Sequence, residues 1–268
     1  MNEDALKRLI QTTILCEFAR QGMYYFPVAI SARHIHLSRE HFEQLFGQEK
    51  KMTRFKNLSQ PGQFACEETV EISGPKASIK KVRVLGPERN ETQVEISVSD
   101  SFSLGIRPEI RMSGDIAGTP GCTITGPIGK ITIDRGVIAA ARHIHLSAEQ
   151  AALYGVKDGE AVAVKTSLPR KGVIDNIAVR VGKDFDMEIH LDTDEANGNG
   201  ILCGTILEVC DRKENTVSAA LDLVTENDVN RAFASGAKII YYTAKGFASP
   251  AAKDRAREKG IMLCKLHG

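Results

Sequence analysis

Ala32-Arg33-His34-Ile35-His36-Leu37-Ser38 recurs letter for letter as Ala141-Arg142-His143-Ile144-His145-Leu146-Ser147. An identity of that length is far beyond chance in a chain of 268 residues, so it marks an internal repeat. Each copy follows a β-type run, Val28-Ala29-Ile30 in the first and Gly136-Val137-Ile138 in the second. On a strand, side chains two apart point the same way, so each His-x-His pair presents two imidazoles on one face. One such pair alone is most often an ordinary strand feature. Two identical copies, holding four of the seven histidines, suggest instead two metal half-sites on two related domains.

The chain is 42% hydrophobic and 26% charged, enough for a sizeable core, and the repeat favours two small domains over one large one. Lys plus Arg number 35 against 34 Asp plus Glu, which gives no global attraction to nucleic acid or membrane. No apolar run approaches bilayer length, and Glu3, Asp4, Lys7 and Arg8 interrupt any secretory core at the N-terminus. These features predict a cytoplasmic chain. The six cysteines (Cys16, Cys66, Cys122, Cys203, Cys210 and Cys264) form no CxxC pair, which suits free thiols better than a disulfide framework.

Working outward from the repeat, the N-terminal segment (1–24) reads as a helix. Leu6, Leu9, Ile10, Ile14 and Phe18 recur at three- and four-residue spacing, and Gly22 is a natural stop. This amphipathic stripe either packs on its own protein or docks on a partner assembly. Ser38 is a candidate N-cap for a short helix over 39–46. The runs 62–71, 79–85 and 93–97 are β-type, with Gly86-Pro87 breaking the connection before the last. Within the Gly/Pro/Ser/Thr-rich stretch 105–129, Ser113-Gly114-Asp115-Ile116-Ala117-Gly118-Thr119-Pro120-Gly121 reads as an ordered loop, a place where function often resides.

The second copy restates this plan: a short helix from Ser147, a turn at 155–159, and β-type runs at 161–164, 179–181 and 187–190. Val179-Arg180-Val181 echoes Val82-Arg83-Val84, and Met187-Glu188-Ile189-His190 echoes Val94-Glu95-Ile96-Ser97, which puts Glu95 and Glu188 in matching places. Glu95 and His190 then come from equivalent strands, each facing a His-x-His strand. Two candidate ligand sets result, His34-His36-Glu95 and His143-His145-His190. Past about Val224, Thr225-Glu226-Asn227-Asp228 has a capping-box shape that opens a short helix to about Ser235, a strand covers 238–243, and Ser249-Pro250 opens a further helix ending at Gly260. This small βα appendage lies outside the repeat. The expected domains are 25–130, 131–205 and an appendage over 206–268.

Three N/O ligands with an open position describe a catalytic rather than a structural zinc site. Arg89, six residues before Glu95, is placed to clamp a phosphate or carboxylate oxyanion. Lys56, Arg83 and Arg180 are lesser candidates for anion contacts. No GxGxxG, P-loop or GxSxG stands in the strand–helix context that those chemistries need.

SARHIHLS (31–38) and AARHIHLS (140–147), together with RNETQVEIS (89–97), SGDIAGTPG (113–121) and MEIHLDTDEAN (187–197), resemble the PduL-type phosphate propanoyltransferases, the phosphotransacylases of bacterial microcompartments. The resemblance covers about residues 25 to 205. It implies a mainly β fold, with two repeated β-barrel domains around a two-zinc site. It also implies exchange of a short acyl group, propanoyl or acetyl, between coenzyme A and phosphate, as in propanediol degradation. Carried over by position, it implies one zinc on His34, His36 and Glu95 and another on His143, His145 and His190, with Arg89 as the phosphate-binding catalytic residue. Ser31, Ala32, Arg33, Lys56, Gln63, Arg83, Leu85 and Asn197 match coenzyme A-binding positions. The N-terminal helix then becomes a candidate encapsulation peptide for shell or core proteins, and a homo-oligomer is compatible with the family. The competing expectations are a two-metal hydrolase, a non-catalytic chain stapled by zinc, and a metal-free scaffold component.

Overall fold

The computed structural model describes residues 3–167, 169–210, 216–234 and 237–265. It divides into two units, Met1–Glu208 and Val209–Gly268. The first opens with α1 (Glu3–Arg20), β1 (Tyr25–Ser31) and the first histidine strand, β2 (His34–Ser38). Then follow α2 (Arg39–Phe46), β3 (Arg54–Asn57), β4 (Phe64–Ser73), β5 (Ser78–Arg89), β6 (Gln93–Glu95), α3 (Val98–Leu104) and β7 (Glu109–Arg111). β8 (Cys122–Thr125), β9 (Lys130–Ile133) and β10 (Val137–Ala140) lead to the second histidine strand, β11 (His143–Leu146). α4 (Ala148–Tyr154), β12 (Ala161–Thr166), β13 (Gly172–Val181), β14 (Glu188–Asp192), α5 (Thr193–Asn199) and β15 (Ile206–Val209) complete it.

The strands form two sheets around the repeat, and each sheet borrows a strand from the other copy. β1-β14-β11-β13-β12-β15 close into a barrel, so β1 joins the second histidine strand's sheet. β7-β10-β6-β2-β5-β4-β8-β9 make the other sheet, with β3 on β4, so β10 joins the first histidine strand's sheet. The registers show the exchange: Ala29 of β1 lies beside His190, and Ile138 of β10 lies beside Glu95. The two copies are thereby laced together by main-chain hydrogen bonds. The family resemblance implied two barrels; one sheet closes, whereas the nine-stranded sheet runs from β7 to β9 with no ladder joining those short strands among the described residues. Neither sheet is built from the repeated βα units that the hydrolase alternative needs.

Local chemistry explains these elements. Ser38 caps α2 by accepting from the His41 N–H, and Ser147 forms a capping box with Gln150 at α4. Val82 and Val84 of β5 alternate inward with Ile35, Leu37, Phe42 and Val94 to fill the core of the first sheet. In the barrel, Tyr154 stacks on Phe26 at 4.7 Å between ring centroids and donates its hydroxyl to the Tyr25 carbonyl. β5 does not break at Gly86-Pro87 but runs on to Arg89. Gly86 lies against the Phe64 ring, where an added Cβ would come within 2.3 Å, so the strand passes there without a side chain. The effect is to deliver Arg89 to the histidine strand.

α1 is helical over Glu3–Arg20, as the spacing of its apolar residues predicts. Leu15 and Ala19 are buried, and the helix meets β1 and α4. Leu6, Leu9, Ile10, Ile14 and Phe18, the stripe for which both self-packing and docking were open, are exposed, Leu9 to 54%. The helix is apolar over too wide an arc to be covered by one seam.

The second unit is a parallel sheet, β16-β17-β18, from β16 (Thr216–Val224), β17 (Ile239–Ala248) and β18 (Met262–Lys265), connected through α6 (Glu226–Ala234) and α7 (Pro250–Lys259). Its core is small: Val224, Val229, Ala232, Ile240, Ala252 and Ala256. The Thr225/Asp228 cap forms as its sequence suggests, with Asp228 Oδ2 accepting from the Thr225 N–H at 2.8 Å. The expected helix end near residue 235 lies outside the described residues. All six cysteines are free thiols; burial pushes Cys66 up to about 11 and Cys122 up to about 12. Among the described residues, no helix is long and apolar enough to cross a membrane.

Candidate metal centre

β2 runs between β5 and β6, and β11 runs between β13 and β14. Across the antiparallel ladders, His34 pairs with Glu95 and His36 with Gln93; His143 pairs with His190 and His145 with Glu188. Directly opposed residues share a face, so each ladder gathers three donors in a plane of the sheet. The donor atoms of His34, His36 and Glu95 lie within 4.8 Å of one another, and so do those of His143, His145 and His190.

This register corrects the expected alignment of the copies. Glu95 matches His190, and Gln93 matches Glu188. Likewise Ile35 aligns with Val84 and Ile144 with Val179, so Arg180 matches Leu85 rather than Arg83. Both slips are of two residues. A slip of two preserves the face on which every side chain lies, so alternation in the sequence cannot reveal it.

The rings are oriented for metal. His34 donates from Nδ1 to the Ala32 carbonyl at 2.9 Å, and His143 from Nδ1 to Ala141 at 2.8 Å, which turns each Nε2 inward. His36 Nδ1, both nitrogens of His145 and His190 Nε2 are buried without a hydrogen-bond partner. Four orphaned ring nitrogens in one locality are costly unless an electrophile satisfies them. An N/O donor set with no thiolate fits zinc or a similar borderline ion.

The electrostatics are those of one joint site. Burial lowers His36 well below its usual range, and so do His34 and Arg89. Burial, with the neighbouring histidines and Arg180, takes His145 down to about 2; His190 falls to about 3, chiefly through burial and His143. Burial opposes charge on Glu95 too, but the charge and hydrogen bond of His34 prevail and hold the carboxyl well below its usual range. His34 is correspondingly raised: burial pulls it down most, but the Glu95 charge and the hydrogen bonds to Glu95 and the Ala32 carbonyl together outweigh this. His34 and His190 also act on one another across the cavity.

Both clusters open into one cavity of about 580 Å³. Its lining includes Arg89 and Arg180, and among the coenzyme A candidates Ser31, Ala32, Arg33, Lys56, Gln63, Arg83 and Leu85. Asn197 is not in that lining; it stands exposed on α5. Arg33 is committed to a bidentate pair with Asp100 at 2.8 and 2.7 Å. Arg83 donates to the Cys66 and Glu67 carbonyls and lies over the Phe55 ring. Arg89, lowered by burial, donates to Ser113 Oγ at 3.0 Å.

Sequence reasoning passed over Gln60, Gln93 and Phe185, and reached Ser113 only as the first residue of the 113–121 loop. Gln60 exchanges two hydrogen bonds with the Asp186 backbone, tying the 58–63 loop to the other copy. Phe185 lies 4.2 Å from the His145 ring. Gln93 had a signal, two residues before Glu95 on the same strand face; Gln60 and Phe185 had none.

The family model described as phosphate propanoyltransferase matches residues 27–202. A phosphate propanoyltransferase of Thermotoga maritima is 51% identical over 183 residues, covering 68% of this chain and 87% of the relative. The Clostridioides difficile (strain 630) phosphate propanoyltransferase is 45% identical over 69% of this chain and 88% of its own length. That of Citrobacter rodentium is 45% identical over 72% and 92%.

Proposed function

We propose that this chain, which belongs to the phosphate propanoyltransferase family, interconverts a short-chain acyl-CoA plus phosphate with the acyl phosphate plus free coenzyme A. The observation that carries the reading is the opening of two three-donor clusters and two arginines into one cavity.

His34 Nε2, His36 Nδ1 and a Glu95 oxygen would hold one zinc, and His143 Nε2, His145 and His190 Nε2 the other. Zinc bound there supplies Lewis acidity to the thioester carbonyl and stabilisation to a departing thiolate. Arg89, beside the first cluster, holds phosphate, and Arg180 adds positive charge from the second. A phosphate oxygen attacks the thioester carbonyl carbon. The C–S bond then breaks, its electron pair leaves on the coenzyme A sulfur, and the acyl phosphate remains. No acyl-enzyme is needed, because the cavity places both reactants side by side. Lys56 and Arg83 at the lining face the phosphates of coenzyme A.

The exposed stripe of α1 supports a second element of the proposal. Leu6, Leu9, Ile10, Ile14 and Phe18 form the face by which the chain docks on shell or core proteins of a bacterial microcompartment. The primary test follows release of free thiol from propanoyl-CoA or acetyl-CoA with and without phosphate. Phosphate-dependent release that a chelator abolishes and zinc restores is expected; thiol release by water alone would identify a hydrolase.

A further inference from the structure

Gln93 and Ser113 bridge the first ligand cluster to Arg89. Gln93 is 2% exposed and sits between Glu95 and the 113–121 loop. Its amide orientation is fixed by its neighbours: the Gly114 N–H donates to Oε1 at 2.7 Å, and a carboxylate can take only the Nε2 side. Nε2 accordingly donates to Glu95 Oε1 at 2.6 Å and to Ser113 Oγ at 2.9 Å. Ser113 Oγ also accepts from Arg89 Nη1 at 3.0 Å. Both acceptor positions of the Ser113 hydroxyl are thereby filled by N–H donors, one from Gln93 and one from Arg89.

Glu95 Oε1 is thus held by Gln93, while Oε2 lies 3.4 Å from His34 Nε2, toward the other two donors. The amide that holds Glu95 also donates to the Ser113 hydroxyl, and that hydroxyl in turn accepts from the Arg89 guanidinium. The second copy has a different group here: Glu188 occupies the place of Gln93. A carboxylate beside Glu95 would repel it and could not donate.

We propose that Gln93 and Ser113 are positioning residues. They keep Glu95 presenting one oxygen to its metal and hold Arg89 in register with it, so that the phosphate site and the carboxylate-bearing metal site are set as a unit. The 113–121 loop is the part of the chain that closes this link. The inference rests on the function proposed above and assigns residues within it.

The test uses the full chain and four variants, Ser113→Ala, Ser113→Thr, Gln93→Glu and Gln93→Met. Outer-shell partners of a metal ligand typically carry about 10–100-fold in affinity or activity. Ser113→Ala should raise KM for phosphate by about 10-fold while leaving KM for acyl-CoA within about twofold, and Ser113→Thr should restore it. Gln93→Glu and Gln93→Met should retain one metal of two after passage through metal-free buffer, measured by metal content. Unchanged phosphate KM in Ser113→Ala overturns the link to Arg89, and full metal retention in folded Gln93 variants overturns the link to Glu95. Should the Gln93 variants fail to fold, Ser113→Ala alone decides. If the wild-type chain binds two metals yet transfers no acyl group to phosphate, the functional reading fails, and metal retention still judges the positioning of Glu95.

Discussion

Glu95 and His190 hold the same place in two copies of one strand pair: Glu95 lies directly across from His34, and His190 directly across from His143. The duplication gives identical histidine strands, and the exchange of a carboxylate for an imidazole at this one position makes the clusters unequal. Behind them the exchange runs the other way, with neutral Gln93 behind Glu95 and Glu188 behind His190. The first cluster carries a negative charge among its donors; the second carries none. Such a pair can hold a thioester and a phosphate in different fields within one cavity.

Removing the Glu95 charge should therefore act on one metal. Glu95→Gln is expected to lower metal content by one ion per chain and kcat/KM by at least about 100-fold, beyond the effect usual for an outer-shell partner. Metal analysis of the purified variant beside a thiol-release assay checks both. Retention of both metals with near wild-type turnover would remove Glu95 from the ligand set.

Arg89→Ala should raise KM for phosphate and leave acyl-CoA binding alone. A hydrogen bond to a charged group contributes about 1.5–3 kcal/mol, which is about 10- to 150-fold in kcat/KM. Arg89→Lys should recover little, because a point charge lacks the planar donors of guanidinium. Initial rates over a phosphate titration decide this; equal losses for both substrates would count against a phosphate role.

Much of the site was legible because repetition amplifies short signals. Four histidines in two identical heptapeptides pointed to the strands that carry the candidate ligands, and the echoed runs 94–97 and 187–190 supplied Glu95 and His190. What escaped were features with no period. The exchange of β1 and β10 between sheets is a choice among equally apolar strands, Val28-Ala29-Ile30 and Val137-Ile138-Ala139, that no local pattern distinguishes. The slip of two residues in matching Glu188 with Glu95 is invisible to alternation. Gln60 reaches the Asp186 backbone across 126 positions of sequence, a contact only the fold creates.

Glu68 gives a stability test independent of catalysis. Burial alone would raise its carboxyl, but hydrogen bonds from the Thr53 N–H and Lys50 prevail and hold it below its usual 4.5. A lowered folded value means the stabilisation is complete above the unfolded value and is lost as pH falls through the folded one. Glu68→Gln should cost about 1.5–3 kcal/mol near neutral pH. Its melting temperature should converge with that of wild type as the pH falls below the ordinary carboxylate range and through the lowered folded value. A constant difference across that range would show that the charge is not the source.

The N-terminal helix separates a folding role from a docking role by face. Leu15 is 2% exposed, and Leu15→Ala should cost about 2–5 kcal/mol through lost burial and the cavity left behind. Ile10 and Ile14 are 50% and 48% exposed, so replacing both with serine should change stability by no more than about 0.5 kcal/mol each. The double variant should keep full transferase activity and lose co-assembly with microcompartment shell proteins, measured by co-purification of assembled shells. Retained co-assembly would refute docking through this stripe, and a melting temperature lowered as far as in Leu15→Ala would make the stripe a structural face instead.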